Sequence, residues 1–193
     1  MRMRAPIVAA VTIGRSPRPD MVGDLAAKLP GVEWVEAGAL DGLDEAAIDA
    51  LRPEPGDVPL VTRAGDRSVV VGERAVTPLV QAALDRSAAG ADAVVVLCAS
   101  EFVGLFAPPP IVRPGAVLDG VAASLAVGRR LNVFVPHEGQ IERQRERWHR
   151  RRLPVHVTAV APDDHTDLEG AGRRAAGTGD LTILDCTGFT LAH

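Results

Sequence analysis

The stretch TILDCTGF, residues 182–189, is an apolar run that leads directly into a thiol and then into a small polar turn. The other cysteine of the chain lies in a similar setting, in AVVVLCAS, residues 93–100. Short apolar runs bounded by turn residues predict strands buried in a parallel sheet. Because open parallel sheets bind ligands outside the carboxyl ends of their strands, the two stretches predict a cleft with a thiol on either side.

Strand and helix signals alternate along the rest of the chain and predict an α/β fold. The first apolar run, Ile7 to Ile13, predicts a strand buried on both faces. Leu60 to Val71 predicts a hairpin, and Thr77-Pro78 predicts the start of a helix that runs to about Ala89. The alternation implies right-handed βαβ units and therefore parallel sheets.

The proline-rich segment 102–114 is predicted to be a loop and to contain the crossover between two domains. We expect two similar α/β lobes, residues 1–104 and 105–193, each ending with one of the thiols. The elements expected in the second lobe are strands at Leu131–Val135, Val155–Val160 and Leu181–Leu184, and helices at Ala116–Val127, Glu138–Arg151 and Leu168–Ala176.

Composition excludes several classes of protein. With 193 residues, of which 47% are apolar, the chain can bury a core, and no apolar run approaches the roughly 20 residues of a membrane span. The N-terminus resembles a first strand rather than a signal peptide, which predicts a cytoplasmic protein with reduced thiols. A net charge of −4 argues against nucleic-acid binding. The single lysine, Lys28 on a short amphipathic helix, is a poor Schiff-base residue, so no pyridoxal cofactor is expected.

Polar candidates cluster at the predicted strand ends. The loops that follow the strands ending at Ile13, Leu97, Val135 and Leu184 contain Ser16, Cys98, Ser100, His137, Glu138, Cys186 and Thr187. Turns such as Cys98-Ala99-Ser100 and Cys186-Thr187-Gly188 leave backbone N–H groups free, and such groups stabilise thiolates or hold a carboxylate. The alternative is that each cysteine is a small buried hydrophobe. Arg15 and Arg18 flank the first loop, and one of the two is a candidate contact for an anionic substrate.

The sequence lacks the motifs of several other kinds of active site. There is no Walker A motif, and HEGQI, residues 137–141, lacks the second histidine of a zinc-protease helix. Asp163-Asp164-His165 is interpreted as a polar turn and helix cap rather than a metal site. The main basic run is interpreted as a solvated helix face, with Trp148 in packing; it comprises Arg143, Arg145, Arg147, Arg150, Arg151 and Arg152.

Four segments of the chain resemble the AroM family. They are TIGRSPRPD (12–20), CASEF (98–102), GRRLNVFVPHE (128–138) with Trp148, and LDCTGF (184–189). That family belongs to the aspartate/glutamate/hydantoin racemase superfamily. The resemblance implies two pseudo-symmetric lobes, with parallel sheets flanked by helices and the active site between the lobes.

The resemblance also implies a reaction. In superfamily racemases one cysteine removes the α-proton of a small carboxylate and the other returns a proton to the opposite face, without a cofactor. Cys98 and Cys186 would fill these roles. Ser16, Ser100 and Thr187 would hold the substrate's carboxylate or orient the thiols, and Glu138 would be an auxiliary polar group. Arg18 and Gly188 are further candidates for substrate binding. No metal is expected, and the oligomeric state, including a homodimer, stays open.

Two departures from the family pattern are relevant to function. Ala99 stands where racemases usually have a polar residue, and the chain stops at His193, whereas family members normally continue through another strand and helix that complete the first lobe. The alternatives are a non-catalytic protein that binds small anions on the same scaffold and a thiol-dependent isomerase or decarboxylase of a diacid.

Overall fold

The structure, a computed structural model, describes residues 4–162, 164–176 and 181–189. Two units divide the chain, Met1–Pro114 and Gly115–His193. The first contains β1 (Ile7–Thr12), α1 (Pro19–Lys28), β2 (Glu33–Gly38), α2 (Glu45–Asp49), β3 (Pro59–Ala64), β4 (Arg67–Gly72), α3 (Glu73–Ser87), β5 (Ala93–Leu97) and β6 (Ile111–Val112). The second contains α4 (Pro114–Leu125), β7 (Leu131–Val135), a 3₁₀ turn (Glu138–Gln140), α5 (Ile141–Arg150), β8 (Val155–Ala159), α6 (His165–Ala176) and β9 (Leu181–Leu184).

The first unit is built on a parallel sheet in the order β2-β1-β5-β6. The central strands are buried because Ala9 and Val11 of β1 and Val94 and Val96 of β5 point into one core. The hairpin predicted at residues 60–71 is confirmed as β3 and β4, which pair antiparallel. Division at Pro114 rather than at residue 104 follows from β6, which continues the first sheet by pairing with β5.

Helix α3 begins four residues before the predicted start at Thr77, so Pro78 lies inside the helix. Proline has no N–H and normally interrupts a helix interior. Here the hydroxyl of Thr77 donates a 2.6 Å hydrogen bond to the carbonyl of Glu73. This bond adds a side-chain contact in the turn before Pro78, and the helix continues without the N–H that a residue other than proline at position 78 would donate to the carbonyl of Arg74. The earlier start places Glu73 in the first turn of the helix.

The second unit contains a parallel sheet in the order β8-β7-β9. All five residues of the central strand β7 are buried. Trp148 of α5 is fully buried and packs in the core formed with β7, as its interpretation as a packing residue predicts. An α/β fold with parallel sheets flanked by helices is therefore confirmed. Within the described ranges, none of the helices combines the length and apolarity needed to cross a membrane.

Candidate active site

The two thiols lie at the carboxyl ends of strands in their respective units. Cys98 directly follows β5, and Cys186 comes two residues after β9. Both thiols are partly exposed. Because β1 and β5 are neighbours whose last residues, Thr12 and Leu97, pair in register, the loop after β1 emerges at the same edge as Cys98.

Each sulfur accepts a backbone hydrogen bond from the residue two positions later in the chain. The N–H of Ser100 donates to Cys98 Sγ at 3.5 Å, and the N–H of Gly188 donates to Cys186 Sγ at 3.3 Å. A Cβ at position 188 would lie 3.4 Å from this sulfur and 3.5 Å from Cγ of Pro162, which are ordinary van der Waals distances. Backbone N–H donors favour the thiolate over the thiol. The free N–H groups predicted at these turns are thus directed at the thiols themselves.

The hydroxyl of Ser100 donates to a carboxylate that sequence interpretation does not identify. Its partner is Oε2 of Glu73, at the first position of α3. Ser100 therefore links Glu73 to the sulfur of Cys98 through its hydroxyl and its backbone N–H. Glu73, Ser100 and Cys98 are all partly buried, which strengthens hydrogen bonds relative to water.

A second serine is held in the same way at the end of β1. The hydroxyl of Ser16 donates to Asp41 Oδ2 at 2.8 Å, and its backbone N–H donates to Asp41 Oδ1 at 2.8 Å. The N–H of Gly38 adds a third bond to the same carboxylate, at 2.7 Å. Asp41 is also absent from the predicted site. Its three bonds fix the loop that carries Ser16 to the end of β2.

We expect Gly38→Ala to destabilise the first unit. A Cβ there would lie 2.5 Å from Asp41 Oδ1, 2.5 Å from the carbonyl oxygen of Gly14 and 2.6 Å from the nitrogen of Ser16. Two of these atoms belong to the backbone, so relief requires movement of the loop, at a cost of about 1–3 kcal/mol. Gly23→Ala in α1 is the control, because its Cβ meets no atom within 4 Å and alanine favours helix by about 0.5–1 kcal/mol. Urea unfolding of both variants checks the prediction; equal stabilities would contradict it.

Arg18 is buried, and its charge is compensated within its own loop. Nε and Nη2 donate to the two carboxylate oxygens of Asp20 at 2.9 and 2.6 Å, and Nη1 donates to Thr12 Oγ1 at 3.3 Å. Arg15 donates to the carbonyl of Leu43 at 2.6 Å and lies 3.8 Å from Glu45. Both arginines therefore brace the loops at this edge.

The Arg18 pair predicts a pH-dependent contribution to stability. The hydrogen bond from Arg18 holds the pKa of Asp20 below its ordinary value, against a smaller opposing effect of burial. A carboxyl with a lowered folded-state pKa stabilises the fold above its unfolded pKa of about 3.9, and this contribution is lost as the pH falls through the folded value. We expect Asp20→Asn to lower stability at pH 6 and to flatten the acid limb below about pH 4. Asp24→Asn, at an exposed position of α1, is the control; identical acid limbs for the two variants would refute the assignment.

In the second unit, the residue that precedes Cys186 is part of a buried ionic network. Nη1 of Arg147 donates to Asp185 Oδ2 at 3.2 Å, and Nη2 contacts Asp119 Oδ1. Arg151 reaches the other oxygen of Asp119 at 2.5 Å. The prediction that the basic run forms a solvated helix face is wrong for Arg147, which is 5% exposed. The guanidinium also lies 5.4 Å from the ring centre of Trp148.

The remaining predicted site residues lie on two segments of the second unit. Thr187 and Gly188 are partly buried and lie on the same turn as Cys186. Glu138 is exposed at the start of the 3₁₀ turn, three residues beyond β7, and β7 pairs with β9. His137 caps this turn, because its Nδ1 accepts the N–H of Gly139 at 3.0 Å.

Within the described residues there is no group of three or more His, Cys, Asp or Glu side chains placed to hold a metal ion. Asp164 caps α6, since its Oδ1 accepts the N–H of Asp167 at 3.0 Å, as its interpretation as a helix cap predicts. Asp163, named with it in the sequence interpretation, lies outside the described residues.

The chain matches a known protein family in sequence and a solved structure in fold. The family model described as AroM protein matches residues 8–193. The chain is also similar to the solved structure of Picrophilus torridus aspartate racemase, with a TM-score of 0.53 and 11% identity, over 95% of this chain and 81% of that one. At this identity the likeness concerns the fold alone. No curated protein sequence matches.

Proposed function

The chain belongs to the AroM family, and from this premise we propose that it is a cofactor-independent racemase or epimerase of a small carboxylate, such as an amino acid or a derivative. One observation carries the proposal: each of two strand-end thiols accepts a backbone N–H from the residue two positions later. The racemase-like fold supports it. A mechanism that needs both cysteines as reduced thiols suits a reducing compartment, so the proposal includes a cytoplasmic location.

The proposed chemistry uses the two thiols in opposite protonation states. The thiolate of one cysteine takes the α-proton, and the electron pair of the broken C–H bond moves into the adjacent carboxylate. The thiol of the other cysteine then gives its proton to the opposite face of the carbon, which inverts it. Each turnover therefore exchanges the roles of Cys98 and Cys186. A thiolate is a weak base for this proton, so donors directed at the developing charge must lower the barrier.

The other site residues have proposed roles that follow from their contacts. Ser100 and Gly188 orient the sulfurs through their N–H groups. Thr187 and Glu138 are proposed to contact the substrate from the second unit. Arg18 is proposed to hold the substrate-binding loop in place rather than to bind the substrate itself, because Asp20 already neutralises its guanidinium.

The proposal is tested by solvent exchange. We expect the purified protein, incubated in D₂O with single enantiomers of small amino acids and their derivatives, to place deuterium at the α-carbon and to form the opposite enantiomer. NMR and chiral chromatography measure the two events. If no acid in the panel exchanges its α-proton, the proposal fails. Thermal stabilisation by the same acids that survives Cys98→Ala/Cys186→Ala would then favour the non-catalytic anion-binding alternative, for which Ala99 also argues.

A further inference from the structure

The serine hydroxyls at the edge of the first sheet have a defined polarity. A hydroxyl has one proton to donate, whereas an ionised carboxylate can only accept. The Ser16 proton is committed to Asp41, and the Ser100 proton is committed to Glu73. Each serine oxygen can therefore offer a ligand its lone pairs but not its proton.

The charges at this edge agree with that polarity. Asp41 and Glu73 bring two carboxylates to the loops after β2 and at the start of α3. The nearby guanidinium of Arg18 is already paired with Asp20, and that of Arg15 lies on the carbonyl of Leu43 and near Glu45. The guanidinium of Arg86 also lies beside this edge, where it donates to the carbonyl of Gly38 at 3.0 Å. At the serine oxygens themselves a ligand carboxylate would meet only acceptors, whereas a ligand ammonium would meet lone pairs that can accept its protons.

From these contacts we propose that Ser16 and Ser100 accept hydrogen bonds from an N–H group of the substrate. The substrate class is then the amino acids and their N–H-bearing derivatives, rather than unsaturated or unsubstituted diacids. This inference deepens the proposed function and rests on it for the assignment of the site. Asp41 and Glu73 become positioning residues, because they act on the substrate through the two serines.

The probes are aspartate and glutamate, each compared with the acid that lacks the amino group, succinate and glutarate. Hydrogen bonds that involve a charged group predict an affinity ratio of about tenfold or more in favour of the amino acid. Isothermal titration and ligand-observed NMR measure the ratio. Tighter or equal binding of succinate and glutarate, or no binding of either amino acid, overturns the inference.

Two variants test the mechanism of that preference. In Glu73→Gln an amide N–H can donate to the serine, which frees the hydroxyl proton for a ligand acceptor. In Asp41→Asn the same exchange requires the NH₂ to take the place of Oδ2, where it also faces the N–H of Gly38, so this variant is expected to lose stability as well. We expect each variant to narrow the affinity ratio severalfold, a change in specificity that a loss of stability alone would not produce. Asp44→Asn is the matched control: it caps α2 three residues from Asp41, asparagine caps equally well, and the ratio should not change.

The two variants act at different serines, so misfolding of one, detected by circular dichroism, leaves the other decisive. If the affinity ratio of amino acid to diacid narrows in neither variant, the inference is overturned. If both variants fold and the ratio narrows in only one of them, the inference is overturned for the serine of the other. The outcomes also separate it from the racemase proposal. Preferred binding of aspartate or glutamate without α-proton exchange supports the inference and refutes the racemase proposal. Exchange only in acids that lack an N–H group supports the racemase proposal and refutes the inference.

Discussion

Replacement of either cysteine with serine is expected to abolish racemisation and to leave α-proton exchange on one enantiomer only. Inversion needs a base on one face and an acid on the other, so neither Cys98→Ser nor Cys186→Ser can complete it. The remaining thiol can still remove the proton that faces it and return a solvent deuteron to the same face. We expect inversion to fall by at least on the order of 10²–10⁴-fold, the usual contribution of general acid–base catalysis.

The two variants should be mirror images of each other. If Cys98→Ser retains exchange with the L enantiomer, Cys186→Ser should retain it with the D enantiomer, and Cys98→Ser/Cys186→Ser should retain neither. NMR of each pure enantiomer in D₂O provides the measurement, and Cys→Ala variants at the same positions exclude a contribution from the introduced hydroxyl. Two variants that both retain inversion would contradict a two-thiol mechanism. Loss of all exchange in one variant, with full exchange of both enantiomers in the other, would assign the chemistry to one thiol.

The parts of the fold that sequence predicts well are those determined by local pattern. Short, mainly apolar runs bounded by turn residues locate β7 and β9 at their observed bounds, although each contains one polar residue, Asn132 and Thr182. The capping of α2 by Asp44 is equally local, since its carboxylate accepts the N–H of Ala47, three residues away. The predicted start of α3 is wrong because proline in the first turn of a helix is only a preference, and this helix accommodates Pro78 in its interior.

The sequence predicts the two thiols but not the carboxylates that accept hydrogen bonds from the neighbouring serines. Both thiols lie within two residues of a strand that the sequence predicts, whereas Asp41 is 25 residues from Ser16 and Glu73 is 27 residues from Ser100. Such pairs are formed by strand order and loop path, which no local pattern contains. The basic run on α5 misleads for a related reason. Alternation with glutamate predicts a solvated face, yet Arg147 points inward because two buried aspartates receive it.

Replacement of Arg147 with methionine is expected to destabilise the second unit by about 3–5 kcal/mol. The guanidinium neutralises Asp119 and Asp185, which are 5% and 3% exposed, and it also bonds the carbonyl of Gly115 at 3.1 Å. Methionine preserves much of the apolar stem but leaves two buried carboxylates without their shared cation. A buried charge that loses its partner cannot recover its hydration, so most of the desolvation cost remains. Urea unfolding measures the loss, with Trp148 fluorescence in a Trp34→Phe background reporting this unit.

Arg151→Met provides the matched control for this prediction. Arg151 lies on the same helix and contacts the same Asp119, but its side chain is 40% exposed, so its loss should cost no more than about 1 kcal/mol. Neutralising the carboxylates together with the arginine, in Arg147→Met/Asp119→Asn/Asp185→Asn, should recover part of the stability, because no unpaired charge then stays buried. If Arg147→Met is as stable as Arg151→Met, the network does not hold the unit together. If it is destabilised as expected, the turn after Asp185 loosens as well, so Cys186 should react faster with a thiol reagent while Cys98 keeps its rate.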